Sequence, residues 1–113
     1  MRRPADDGLI PNEKRVLLAA DSLASSGEDQ FHGYALAGEL RRAEPHTRVM
    51  AYSTLYRCLA RLMERGFVAQ SGTEVEVSGG PPRRVFVLTP AGTTMARDLR
   101  AEGTAEGLIW GLA

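Results

Sequence analysis

The stretch "AYSTLYRCLARLMERG" (51–66) carries the residues best suited to chemistry in this chain. At helical spacing, Leu55, Cys58, Leu59, Leu62 and Met63 form one apolar stripe, while Ser53, Arg57, Ala60, Arg61 and Glu64 fall largely on the other side. An arginine-bearing helix face with Ser and Thr at its start can lie against phosphates and base edges. Arginine pairs with guanine edges or phosphate, and a tyrosine hydroxyl reaches phosphate. Tyr56, Arg57 and Arg61 are therefore candidate contacts to duplex DNA. Ser53 and Thr54 either donate to phosphate or cap the helix. Arg48 just before the helix, and Arg83 and Arg84 beyond it, extend the set. The bland alternative is a solvated helix face with Tyr56 half-buried.

The charge distribution supports the first reading. The 113 residues have a formal net charge of zero. Between Arg41 and Arg84, however, stand eight arginines (41, 42, 48, 57, 61, 65, 83, 84) against four glutamates (44, 64, 74, 76), so this segment carries +4 and the remainder −4. Where positive charge gathers matters more to a polyanion than the total.

Other chemistries find little support. No Ser-His-Asp set, paired-carboxylate motif or phosphate-cradling loop is present, and "GGPP" lacks the lysine and following helix of a P-loop. The chain is not expected to be an enzyme or to need a cofactor. His32 and His46 lack ligand spacing and a cysteine cluster, so no metal site is expected. Cys58, the single cysteine, excludes an internal disulfide and lies on the apolar stripe, where a buried inert thiol is expected. No apolar run approaches the ~20 residues of a membrane span, and the N-terminus has no apolar segment after its arginines, so a cytoplasmic location is expected.

The elements that must position these residues follow from periodicity. Residues 1–11 read as a flexible tail. Asn12 is expected to cap a first helix with Val16, Leu17, Ala20, Leu23 and Ala24 inward. "SSGEDQ" (25–30) reads as a polar loop. Residues 32–43 form a second helix with Leu36, Ala37 and Leu40 inward, ended by Pro45, in which Gly33 and Gly38 allow close approach of a neighbour. The third helix is the opening stretch, stopped by Gly66. Glu74–Val77 and Arg84–Leu88 then alternate around "SGGPP", which predicts a β-hairpin. Thr89 and Pro90 are a good N-cap and N1 pair for a fourth helix containing Met95, Ala96 and Leu99. The order defines a mainly α fold with a small hairpin, a winged helix-turn-helix, in which the third helix enters the major groove and the hairpin is a two-stranded wing. The expected division is 1–11 tail, 12–89 DNA-binding domain and 90–113 C-terminal dimerisation helix.

Three segments resemble the PadR family of bacterial transcriptional regulators. "HGYALAGEL" is similar to the His-Gly-Tyr opening of that family's second helix. "STLYRCLARLMERGFV" resembles its Thr-Leu-Tyr-x-x-Leu-x-Arg-Leu recognition helix, and "GGPPRRVFVLTPAG" its wing. The resemblance runs from about Val16 to about Leu99. Ala51-Tyr52-Ser53 stands where the family has Ser-x-Gly, so Ser53 is the substitute cap and the helix start shifts; Val85 and Phe86 replace two wing tyrosines. The resemblance implies a dimeric repressor released from its operator by a small effector, with one C-terminal helix packed on the partner subunit.

The apolar residues Leu108, Ile109, Trp110 and Leu112 agree with an interface. Leu17, Met95, Leu99, Leu108 and Trp110 are the expected dimer contacts, and Trp110 is a candidate to stack on a hydrophobic or aromatic effector. A two-fold dimer reads an inverted-repeat operator. The competing reading is a winged-helix protein–protein interaction module without DNA binding, which the zero net charge and the altered start of the third helix favour.

Overall fold

The computed structural model describes residues 8–74 and 83–111, with side chains described for 8–72 and 84–102. The elements run α1 (Pro11–Ser25), β1 (Gln30–Phe31), α2 (Gly33–Ala43), α3 (Tyr52–Glu64), β2 (Val68–Glu74), β3 (Arg83–Leu88) and α4 (Pro90–Gly111).

α1 starts earlier than the sequence suggested. Its N-cap is Ile10, not Asn12, with Pro11 as the first helical residue. Proline has no N–H to leave unpaired there, and its fixed φ suits a first turn. Two residues on, Glu13 Oε1 accepts a hydrogen bond from the Ile10 N–H at 3.3 Å. Leu9 is buried in the core, so the chain is anchored before Asn12 and the expected tail does not extend this far. Residues 1–7 lie outside the described residues.

The sheet holds three strands, not two, in the antiparallel order β1-β3-β2. β1 comes from the end of the expected polar loop and pairs Gln30 with Val87 and Phe31 with Phe86. β2 pairs with β3 from Val68↔Leu88 to Glu74↔Arg83, with a register shift between Gln70 and Gly72. The first wing strand therefore lies earlier than the expected Glu74–Val77. Residues 75–82, which include the "GGPP" tip, lie outside the described residues.

The core sits where α1, α2 and α3 meet the inner face of this sheet. Val16, Leu17 and Ala20 from α1, Leu36 from α2, Leu55, Leu59 and Leu62 from α3, and Phe31 and Phe86 from the sheet are fully buried. Each helix buries one stripe because its apolar residues recur at three- and four-residue spacing. Ala96 and Leu99 bring α4 into the same core, where it packs against α1 and β3.

The turn after α3 sets the wing's position. Gly66 has φ +80°, a left-handed conformation that favours glycine. Its N–H donates to Met63 O at 3.0 Å and the Phe67 N–H to Leu62 O at 2.9 Å, which closes the helix in a Schellman motif. Thr89 joins this turn to α4. Its Oγ1 donates to Gly66 O at 2.6 Å and accepts from the Gly92 N–H at 3.0 Å, so the expected Thr89–Pro90 start is realised. Among the described residues no helix is long and apolar enough to cross a membrane.

Candidate nucleic-acid interface

α3 carries the candidate interface because its two faces differ completely. Leu55, Cys58, Leu59 and Leu62 are buried, whereas Ser53, Arg57, Ala60 and Glu64 are exposed. Residues 53, 57, 60 and 64 follow one another at four- and three-residue steps, so they form a single outward strip. The helix starts at Tyr52 with Ala51 as its N-cap, and no side chain caps it; Ser53 lies inside the first turn and does not serve as the cap. The first-turn N–H groups are thus left for solvent or an anion, and the helix dipole favours negative charge there.

Arg57 is exposed and has no carboxylate partner among the described residues. Arg48, in the segment leading into α3, is likewise exposed and unpaired, and it lines an open cleft with Thr47, Val49 and the half-buried Thr54. A positive side chain, a hydroxyl and an uncapped helix start therefore share one edge of the molecule.

Tyr56 takes the place that the alternative reading of this helix gave it. It is half-buried, with its ring against Gly33 of α2 so closely that a Cβ at that position would overlap the ring. Here the close approach expected of Gly33 is realised; Gly38 is exposed and has no neighbour near it. The Tyr56 ring centroid lies 6.4 Å from that of Phe86, and the Arg84 guanidinium stands 5.4 Å from both ring centroids. Arg84 is thereby held over an aromatic platform built by α3 and β3, with its charge toward solvent. Cation–π contact of this kind orients a guanidinium without neutralising it. Arg83 pairs through its backbone with Glu74, and its side chain lies outside the described residues.

Arg61 differs from Arg57 in having an acidic partner. Its Nε lies 2.8 Å from Glu13 Oε2, and the two side chains are 57% and 1% exposed. The oxygen sits off the N–H direction, so the contact is an ion pair without a directed hydrogen bond. Sequence reading missed Glu13, because a partner so far along the chain leaves no local pattern. It also missed Tyr52 and Val49, which are large, exposed and flank the start of α3. Neither announces itself: Tyr52 stands at stripe spacing from Leu55 and Leu59, where a buried side chain is expected, and Val49 precedes the helix.

Cys58 is buried, as its stripe position predicts. Burial pushes its thiol pKa up, and the Glu13 charge adds to this; Arg57, Arg15 and Arg61 act in the opposite direction. His32 caps α2, its Nδ1 accepting from the Ala35 N–H at 3.2 Å. Among the described residues no group of three or more His, Cys, Asp or Glu is placed to hold a metal ion.

The expected dimer contacts separate. Leu17 is fully buried inside its own chain's core, so it has no surface to offer a partner. Leu99 is also buried against that core, and Met95 is half-buried. The side chains of Leu108 and Trp110 lie outside the described residues, as does Leu112.

Three core helices, an outward-facing third helix and an antiparallel sheet beside it define a winged-helix protein of the kind that regulates transcription. Residues 23–98 match the model of the transcriptional regulator PadR-like family, and the chain belongs to that family. It is a family of transcriptional regulators, not of enzymes. Solved structures share the fold. A transcriptional regulator from Clostridium thermocellum superposes with a TM-score of 0.66 at 21% identity, covering 87% of this chain and 91% of that one. A PadR family transcription regulator from hypervirulent Clostridium difficile R20291 gives 0.64 at 17% identity, covering 84% and 95%. The circadian clock associated protein Pex from anabaena gives 0.62 at 18% identity, covering 90% and 84%. No curated protein sequence matches the chain.

Proposed function

We propose that this regulator is a cytoplasmic, sequence-specific binder of double-stranded DNA that acts as a dimeric repressor. The observation that carries the DNA reading is the outward strip of α3. Ser53 and Arg57 stand on it, exposed and without an acidic partner among the described residues, while the opposite face is locked into the core. In this reading residues 12–89 form the DNA-binding domain. Arg57 reads a base edge in the major groove, and Ser53, Thr54 and Arg48 meet the phosphates beside it. Arg83 and Arg84 on the wing strand meet the flanking backbone. Tyr56 serves mainly as the platform for Arg84.

Residues 90–113 form the dimerisation helix. Its support is the length of α4, 22 residues, and the apolar run Leu108-Ile109-Trp110 toward its end. Met95 contributes at the near end. Two copies related by a two-fold axis place their α3 helices about one DNA turn apart, so the operator is an inverted repeat. A small hydrophobic or aromatic effector that stacks on Trp110 and releases the operator completes the proposal. Trp110 is the single tryptophan, so its fluorescence reports such binding directly.

Fluorescence anisotropy with the labelled duplex upstream of the protein's own gene, beside a scrambled duplex, tests the reading at two salt concentrations. Selective binding that weakens with salt is expected. Absence of binding to either duplex at low salt overturns it in favour of a protein-interaction module. Sedimentation as a monomer at micromolar concentration removes the dimer.

A further inference from the structure

Two arginines stand one helical turn apart on α3, yet their surroundings are opposite. Arg57 has no acidic partner among the described residues, whereas Arg61 is paired with a carboxylate that is almost wholly buried. We infer that Glu13 is an internal counter-ion that withholds Arg61 from DNA, confining recognition to the first turns of α3. This rests on the DNA-binding reading above.

The geometry gives Glu13 little freedom. It lies in the first turn of α1, where Oε1 accepts from the Ile10 N–H at 3.3 Å. Oε2 faces Arg61 at 2.8 Å and accepts no hydrogen bond. The only other buried carboxylate among the described residues, Glu39, pairs with Arg42 of its own helix and ties no two elements together. A carboxylate taken out of water needs its cation. Arg61 cannot turn to a phosphate without leaving Glu13 buried and uncompensated. Arg57 and Arg61 are neighbours on the helix surface, so without Glu13 both would present charge to the same wall of the groove. The exposed Glu64 repels phosphate from the same end of α3. Glu13 is thus a positioning residue, acting through Arg61.

The test is the salt dependence of the full-length protein on a labelled duplex of random sequence, with folding checked by circular dichroism. Each phosphate contact contributes about 0.9 to the slope of log K against log salt. Glu13→Gln keeps the shape and the acceptor for the Ile10 N–H but frees Arg61. Its slope is expected to steepen by about 0.9, with tighter binding at low salt. The double variant Glu13→Gln with Arg61→Gln should return to the wild-type slope. Asp98→Asn, exposed on α4, makes the same change in net charge and should leave the slope alone. An unchanged slope in Glu13→Gln overturns the inference. If that variant does not fold, Arg61→Gln decides alone: an unchanged slope supports withholding, and a slope flatter by about 0.9 shows that Arg61 already touches phosphate. Wild-type protein that binds no duplex at low salt refutes the DNA reading itself, a distinct result.

Discussion

The arginines of this protein form two populations. On one side, Arg15 pairs with Glu44 at 3.0 Å, Arg61 with Glu13 at 2.8 Å and Arg100 with Asp21 at 2.7 Å, each joining two segments of the helical body. On the other, Arg48, Arg57 and Arg84, around the start and outer face of α3 and on β3, are exposed and form no ion pair among the described residues. Arg41 at the end of α2 is exposed in the same way, and so is Arg97 on α4. A total of zero describes a body whose positive charges are largely cancelled and an edge whose charges are not. A polyanion meets the edge, not the sum.

The sharpest way to break this comparison is to remove one arginine from each population. Arg57→Ala should weaken operator binding by about 1–3 kcal/mol and blur selectivity against a scrambled duplex, as loss of a base contact does. Arg100→Ala removes a partly exposed pair and two further hydrogen bonds, to Ser22 Oγ and Leu18 O. It should lower stability by about 1 kcal/mol or less and leave DNA affinity unchanged. Competition anisotropy and urea midpoints measure the two. Equal effects of both variants on DNA would dissolve the distinction. Equal loss of operator and random binding in Arg57→Ala would move that residue from base to backbone.

A smaller effect sharpens the role of the aromatic platform. Arg84→Gln should weaken binding to all sequences alike and flatten the salt slope by about 0.9. Tyr56→Leu keeps a side chain against α2 but removes the ring beneath Arg84. It should reproduce part of that loss without changing sequence preference. A change of preference instead would place Tyr56 itself on a base.

Much of this layout is legible locally. The stop at Gly66, the Thr89–Pro90 start and the buried stripe of α3 depend on residues within a turn of each other, so spacing alone defines them. What escapes the sequence is set by partners far along the chain. β1 is two residues long and has no periodicity of its own; it exists because Phe31 meets Phe86. The register shift between Gln70 and Gly72 breaks the alternation of β2, which conceals a strand in plain view. At the site, Arg57 shows its exposure through its position on the wheel. Arg61 occupies an equally open-looking position, and only the fold brings the buried Glu13 beneath it. Gly33 announces room for a neighbour, but nothing local says that the ring of Tyr56, on the next helix, is what takes it.

Cys58 offers the subtlest test, because it lies on the seam between the two populations, with Arg57 before it and the Glu13–Arg61 pair beside it. Burial and the Glu13 charge raise its folded pKa, against the opposing pull of the three arginines. Below the pH at which an ordinary thiol ionises, both folded and unfolded chains hold the proton, and the thiol contributes nothing to pH dependence. Above it the unfolded chain releases the proton while the folded chain keeps it, so stability falls with rising pH until the folded thiol ionises too. The slope from this group cannot exceed about 1.4 kcal/mol per pH unit. Urea midpoints of wild type and Cys58→Ala measured from neutral to alkaline pH isolate it: the wild type should lose more stability over that range, whatever the substitution costs at neutral pH. Parallel curves would mean that the pull of Arg57, Arg15 and Arg61 on the thiolate offsets burial and the Glu13 charge, so that at this seam the arginines, cancelled and open alike, outweigh the carboxylate.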